Sequence, residues 1–128
     1  MTIFSLLKIA IQKIDRFEAE LLLSFALKQS REYIVTYPEK KVSFFQKYRF
    51  LSLIKKRASG VPLAYLTLHK DFFGLDFLVN KYTLVPRPDT EILVEKVLEE
   101  LKNNPVHIFI DIGTGSGCIP ISIAMELS

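Results

Sequence analysis

One short run near the C-terminal end, Asp111-Ile112-Gly113-Thr114-Gly115-Ser116-Gly117, constrains this chain more than any other feature. Val106 to Ile112 is apolar, β-branched and of strand length, opened by Pro105 and closed by glycine, so it predicts a strand. Ile119 to Leu127 then reads as a helix. A strand, a glycine-rich turn and a helix form the opening half of a nucleotide-binding βαβ unit. The glycines let the backbone turn tightly and let a ligand approach closer than a Cβ would permit.

The spacing separates ligand classes. A phosphate-gripping loop ends in Gly-Lys-Ser/Thr, whereas Gly117 is followed by Cys118. The dinucleotide pattern G-x-G-x-x-G, counted from Gly113, would need glycine where Cys118 stands. The pattern here is D-x-G-x-G-x-G. An acid two residues before the first glycine discourages a pyrophosphate and suits a cation, such as the amino group of an amino-acid moiety. S-adenosylmethionine carries such a group beside its sulfonium. The plainer alternative is a loop that only turns the chain, with Asp111 merely ending the strand.

Length and composition set the frame. The 128 residues suit one ordinary domain, or a small domain plus part of another. A hydrophobic content of 49%, with 10 Phe and 5 Tyr, is ample for a core. The formal charge of +3 is a mild basic excess, well short of a dedicated nucleic-acid binder. The single cysteine, Cys118, forms no internal disulfide and suits a reducing cytosol; at the start of a helix it reads as a small packing residue or an activated thiol. The N-terminus lacks the basic start and cleavage site of a signal peptide, and no run approaches the ~20 apolar residues of a membrane span. A cytoplasmic location is expected. His69 and His107 have no ligand-spaced partners, so no metal site is expected.

Residues 1 to about 67 read as a helical bundle. Ile3, Phe4, Leu7, Ala10, Ile11 and Ile14 share one helical face. Asp15 and Glu18 match a capping box before Phe17, Leu21, Leu22, Phe25 and Ala26. Ser30 caps a short helix through Tyr33, Ile34 and Tyr37, stopped by Pro38. Ser43 and Gln46 repeat the box before Phe44, Phe45, Tyr48, Leu51, Ile54 and Ala58, and Gly60 sits where a left-handed C-terminal cap belongs. Phe72 to Val79 predicts a β-hairpin bending at Gly74. Leu84-Val85-Pro86-Arg87-Pro88 is a stiff extended connector. Asp89 or Thr90 caps a helix carrying Ile92, Leu93, Val94, Val97, Leu98 and Leu101. Lys40, Lys41, Lys47, Arg49, Lys55, Lys56 and Arg57 form either a solvated helix face or a surface for a partner, such as one bound to RNA.

Three segments in this order resemble the HemK/PrmC family, the methyltransferases that modify a glutamine of peptide-chain release factors. They are Glu18-Ala19-Glu20-Leu21-Leu22-Leu23 with Arg57-Ala58-Ser59-Gly60-Val61-Pro62-Leu63-Ala64-Tyr65-Leu66-Thr67; Phe72-Phe73-Gly74-Leu75 leading to Val85-Pro86-Arg87-Pro88-Asp89-Thr90-Glu91, similar to the R-P-x-T-E signature; and Asp111 to Gly117. The resemblance implies an α+β fragment. It comprises a helical substrate-recognition domain at 1–67, a β-hairpin and Pro-rich connector at 68–88, and the start of a Rossmann-like class I methyltransferase domain at 89–128. It further implies that Gly113, Thr114, Gly115, Ser116 and Gly117 hold S-adenosylmethionine with Asp111 near its methionine portion, and that Arg87, Thr90 and Glu91 lie against the same pocket. Without the resemblance, Arg87 and Glu91 read as a helix-start ion pair.

Two departures accompany the match. Leu68 follows Thr67 where the family usually has glycine, which suggests a differently built turn. The N-P-P-Y motif, which in the family grips the glutamine amide, does not occur in these 128 residues, and only 11 residues follow Gly117. No catalytic residue is therefore assigned within them. The expected partner is a release factor, with no membrane and no direct nucleic-acid contact. The whole protein reads as an S-adenosylmethionine-dependent enzyme, and this segment alone as inactive. Two other classes remain open: a methyltransferase acting on nucleic-acid amino groups, and a non-catalytic helical interaction module.

Overall fold

In a computed structural model the chain is described over residues 1–105 and 108–128. It divides into two compact units, Met1–Thr67 and Leu68–Ser128, each with its own core. Seven helices and one two-stranded antiparallel sheet among the described residues make it a small α+β protein.

The first unit contains α1 (Ile3–Ala10), α2 (Arg16–Leu27), α3 (Arg31–Thr36), α4 (Phe44–Ala58) and α5 (Leu63–Thr67). Local capping chemistry sets most of these boundaries. Ser30 Oγ accepts from the Tyr33 N–H at 3.2 Å, and the Ser43–Gln46 box closes in both directions at 3.3 and 3.1 Å. A second box, between Thr2 and Ser5, opens α1. Past α4, the Gly60 N–H bonds to the Arg57 carbonyl and the Val61 N–H to the Lys56 carbonyl, the two bonds of a Schellman motif.

The Asp15–Glu18 box forms only by half. Asp15 accepts from the Phe17 and Glu18 N–H groups at 2.8 and 3.4 Å, but the Glu18 carboxylate does not turn back. It takes the Arg57 guanidinium bidentately instead, with Nε and Nη2 each at 2.8 Å. Such a charge-assisted fork is stronger than one neutral cap bond, and it ties α2 to the end of α4. Hydrogen bonding to Glu18 holds the Arg57 pKa above its ordinary value.

The core faces also differ from those expected. In α1 the buried residues are Ile3, Leu6 and Ala10, whereas Phe4 is 62% exposed. The Ile3 and Phe4 N–H groups donate to the carbonyls of Lys40 and Pro38, which fixes how the helix is rolled. In α4 the buried residues are Phe50, Leu53 and Ile54, so Phe44, Phe45 and Tyr48 lie outside the core at 73%, 84% and 71% exposure. In α2 the core takes Ala19, Leu22, Leu23, Ala26 and Leu27, leaving Phe17 exposed under the Arg31 guanidinium.

Glu20 is the buried acid of this unit. Its Oε1 accepts from Arg16 Nε at 2.9 Å and its Oε2 from Arg31 Nε at 2.8 Å. Burial alone would raise its pKa; the hydrogen bonds and charges of Arg16 and Arg31 outweigh that and hold it below 4.5. A depressed folded-state pKa contributes stability that is present above the unfolded value and lost as pH falls through the folded one. The melting temperature of the helical unit should therefore fall as pH drops below about 4.5, and Glu20→Gln should flatten that dependence. An identical acid slope in both proteins would refute the assignment.

The second unit contains β1 (His69–Phe72), β2 (Leu75–Leu78), α6 (Thr90–Asn103) and α7 (Cys118–Leu127). The strands pair antiparallel with Phe72 opposite Leu75 and His69 opposite Leu78, so the hairpin begins three residues before the predicted run. Its two-residue loop is Phe73-Gly74, with φ of 50° and 72°, the left-handed pair of a type I′ turn. Leu68 is also left-handed at φ 63°, and its carbonyl accepts from the Val79 N–H. The turn after Thr67 thus uses the backbone conformation that glycine adopts freely. With leucine it costs about 1–2 kcal/mol.

Phe72, Phe77, Val94, Cys118 and Ile123 form the second core, which joins the hairpin, α6 and α7. In α6 only Val94 is fully buried, while Ile92 and Leu93 are exposed. Asp89 occupies the N-cap position of α6 but makes no side-chain cap bond, contrary to expectation. The predicted strand over Val106 to Ile112 is not present in its described part, and Val106 and His107 lie outside the described residues. Ile108, Ile110 and Ile112 are 79%, 77% and 93% exposed. A strand exists by ladder pairing, and no described segment pairs with this run.

Candidate functional site

The glycine loop is built as a series of left-handed residues. Gly113, Gly115 and Gly117 have φ of 77°, 58° and 78°, a conformation costly to any residue with a Cβ. A Cβ at Gly113 or Gly115 would meet nothing within 4 Å, so the space beside them is open. At Gly117 it would come within 3.1 Å of the end of the exposed Ile121 side chain, a tight contact, and the positive φ is what calls for glycine there. The Gly117 N–H closes the turn on the Thr114 carbonyl at 2.9 Å.

α7 starts directly from this turn. Gly117 is its N-cap and supplies no side-chain cap, and Pro120 in its first turn has no N–H to satisfy. The N–H groups of Cys118 and Ile119 therefore point forward without an intrahelical acceptor, at the positive end of the helix dipole. Cys118 itself is buried in the second core, which makes it a packing residue rather than an exposed thiol.

Two side-chain oxygens of the loop region are buried and unpartnered among the described residues: Asp111 Oδ2 and Ser116 Oγ. A buried carboxylate oxygen without a donor is expensive, and such groups in proteins ordinarily find one. This orphaned acceptor lies on the acid that the sequence singles out. The loop region thus holds a carboxyl oxygen without a donor, and the helix that follows the loop in sequence starts with amides that have no side-chain cap. A zwitterionic amino-acid group carries a charge suited to each.

The other sequence-predicted residues, Arg87, Thr90 and Glu91, lie just before and at the start of α6. Glu91, in the first turn of α6, accepts from the Phe73 N–H through Oε1 at 2.8 Å. It thereby holds the strained turn of the hairpin rather than pairing with Arg87, which is exposed. The Thr90 N–H bonds to the Arg87 carbonyl as the helix begins. No described hydrogen bond or ion pair joins Arg87, Thr90 or Glu91 to the Asp111–Gly117 loop. Sequence reasoning missed the Glu91–Phe73 link. The available signal was a bulky residue before Gly74 in a two-residue turn, which needs an outside partner to stay left-handed.

Among the described residues no group of His, Cys, Asp and Glu is arranged to hold a metal ion. His69 Nδ1 lies 2.8 Å from Asp76 Oδ2 across the hairpin. No helix among the described residues is long and apolar enough to cross a membrane.

The PrmC N-terminal domain model matches residues 4–67. A release factor glutamine methyltransferase of Koribacter versatilis is 44% identical over 111 residues, covering 87% of this chain and 40% of that protein. One of Nitratidesulfovibrio vulgaris is 45% identical over 111 residues, covering 87% and 37%. One of Buchnera aphidicola subsp. Acyrthosiphon pisum is 42% identical over 130 residues, covering 97% and 46%. The chain spans less than half the length of these relatives. With the domain match taking in residues 4–67 and identities above 40% along most of its length, the chain belongs to the HemK/PrmC family.

Proposed function

We propose that this chain is the N-terminal portion of an enzyme that transfers a methyl group from S-adenosylmethionine to the side-chain amide nitrogen of a glutamine in a peptide-chain release factor. Residues 1–67 serve as the substrate-recognition domain, 68–88 as hairpin and connector, and 89–128 as the start of a Rossmann-like methyltransferase domain. The observation that carries the reading is the orphaned Asp111 Oδ2 beside the open left-handed glycine loop. The relatives, which are release factor glutamine methyltransferases, support the reaction class.

The residues present fit the cofactor. Asp111 would accept from the amino group of its methionine end, and the Cys118 and Ile119 amides would face its carboxylate. Gly113 and Gly115 leave room for close approach, and Ser116 Oγ offers a further polar contact. When bound, the cofactor supplies a methyl group on a sulfonium with a neutral thioether as leaving group. The protein's task is to hold the poor amide nucleophile in line, an orientation worth roughly 7–11 kcal/mol. The N-P-P-Y motif that the resemblance gives this task is not among these residues, so the 128 residues alone should give no turnover.

The reading is tested in a chimera in which these residues replace the matching part of the Koribacter relative. Calorimetry should show S-adenosylmethionine binding, weakened about 10- to 100-fold by Asp111→Asn, the loss of one charge-assisted bond. Undiminished affinity in that variant would remove Asp111 from the site.

A further inference from the structure

The helical unit carries a charge and surface pattern that cofactor binding does not use. Residues 1–67 hold twelve Lys and Arg against five Asp and Glu, a formal charge of +7, whereas residues 68–128 hold five against nine, a formal charge of −4. Residues 40–58 contain seven of those cations and no acid. Two of the five acids, Glu18 and Glu20, are committed to Arg57, Arg16 and Arg31. None of the described ion pairs uses Lys28, Lys47 or Arg49.

Within this field lies an apolar groove of about 220 Å³, lined by Ala26, Leu27 and Lys28 at the end of α2 and by Phe45, Gln46 and Arg49 of α4. Phe45 is 84% exposed on its rim. The Arg49 guanidinium is held over the Phe25 ring, 4.7 Å from its centroid, and takes part in none of the described ion pairs. The volume is below that of a typical small-molecule pocket and suits one or two apolar side chains.

We propose that this α2–α4 groove docks an acidic segment of a protein partner, which inserts an apolar side chain beside Phe45 while its carboxylates meet Lys28 and Arg49. A single-stranded nucleic acid would satisfy the same charges, but it needs parallel aromatic platforms for its bases. The Phe44 and Phe45 rings meet edge to face at 80°, which offers none. The surface belongs to the helical unit and the glycine loop to the other, so the proposal stands or falls independently of cofactor binding.

The test uses the 128-residue chain without cofactor and a fluorescein-labelled peptide in which one leucine is flanked on both sides by glutamates. Fluorescence anisotropy should show saturable, salt-sensitive binding. Exchanging the peptide leucine for serine, or its glutamates for glutamines, should weaken binding about tenfold without touching the protein. Arg49→Glu should weaken it at least about tenfold, while Lys13→Glu, the same charge change on an exposed turn outside the groove, should change it less than about twofold. Several results would overturn the proposal: no saturable binding, no effect of the leucine exchange, equal losses in the two protein variants, or tighter binding of a uridine oligonucleotide displaced by the peptide.

Discussion

Phe50→Ala should leave the helical unit without a cooperative thermal transition at room temperature and above. Phe50 is fully buried in the first core, among side chains contributed by α1, α2 and α3. Truncating such a ring costs about 3–5 kcal/mol, because the transfer free energy is lost and a cavity remains. Domains as a class have about 5–15 kcal/mol, and units of this size lie toward the low end. The exposed neighbour provides the internal control. Phe45→Ala removes the same ring from the surface of the same helix and should change stability by less than about 0.5 kcal/mol. Circular dichroism melts of the two variants test this directly. Equal destabilisation would mean that α4 is rolled the other way, with its N-terminal aromatics inside.

Amide exchange should divide the 128-residue chain even more sharply. The amides of Leu22 to Ala26 lie in a buried helix and should exchange only through global opening of their unit, about a thousandfold or more slower than unprotected amides. The amides of Ile108 to Ile112 have no ladder partner among the described residues and should exchange at nearly unprotected rates. Four large apolar side chains here, Ile108, Phe109, Ile110 and Ile112, are exposed, and burying each would contribute roughly 1.5–3 kcal/mol as an upper estimate. An unpaired apolar run is also a template for association, so the chain should aggregate with rising concentration. In the chimera, where further strands are supplied, the same amides should become protected. High protection of Ile108–Ile112 in the monomeric 128-residue chain would contradict this.

The parts of the fold that were legible in the sequence are those fixed by local chemistry. Ser30, Ser43 and Gln46 each bond to amides within three residues, and Gly60 closes α4 through its immediate neighbours. The roll of each helix was less legible, because several hydrophobic stripes compete on α1 and α4 and long-range contacts choose among them. Backbone bonds from Ile3 and Phe4 to segment 38–40 settle α1, a fact that no window of periodicity contains. The acids of the segment Glu18-Ala19-Glu20 show the same limit. Glu18 reads as a capping-box residue, yet its partner is Arg57, 39 positions away, and Glu20 is held by Arg16 and by Arg31, 11 positions away. At the candidate site, the loop's left-handed glycines could be read from spacing, whereas the unpartnered Asp111 oxygen and the bond from Phe73 to Glu91 required the structure to be seen.

Whether these residues open a release-factor glutamine methyltransferase, as proposed, is settled by product analysis. Incubating the chimera with tritiated S-adenosylmethionine and a bacterial release factor, followed by mass spectrometry of the product, tests it most directly. A single added methyl group is expected on one glutamine side chain of the release factor, and none when the 128 residues are used alone. A folded chimera that binds the cofactor but leaves the release factor unlabelled, or that labels nucleic acid instead, would contradict it.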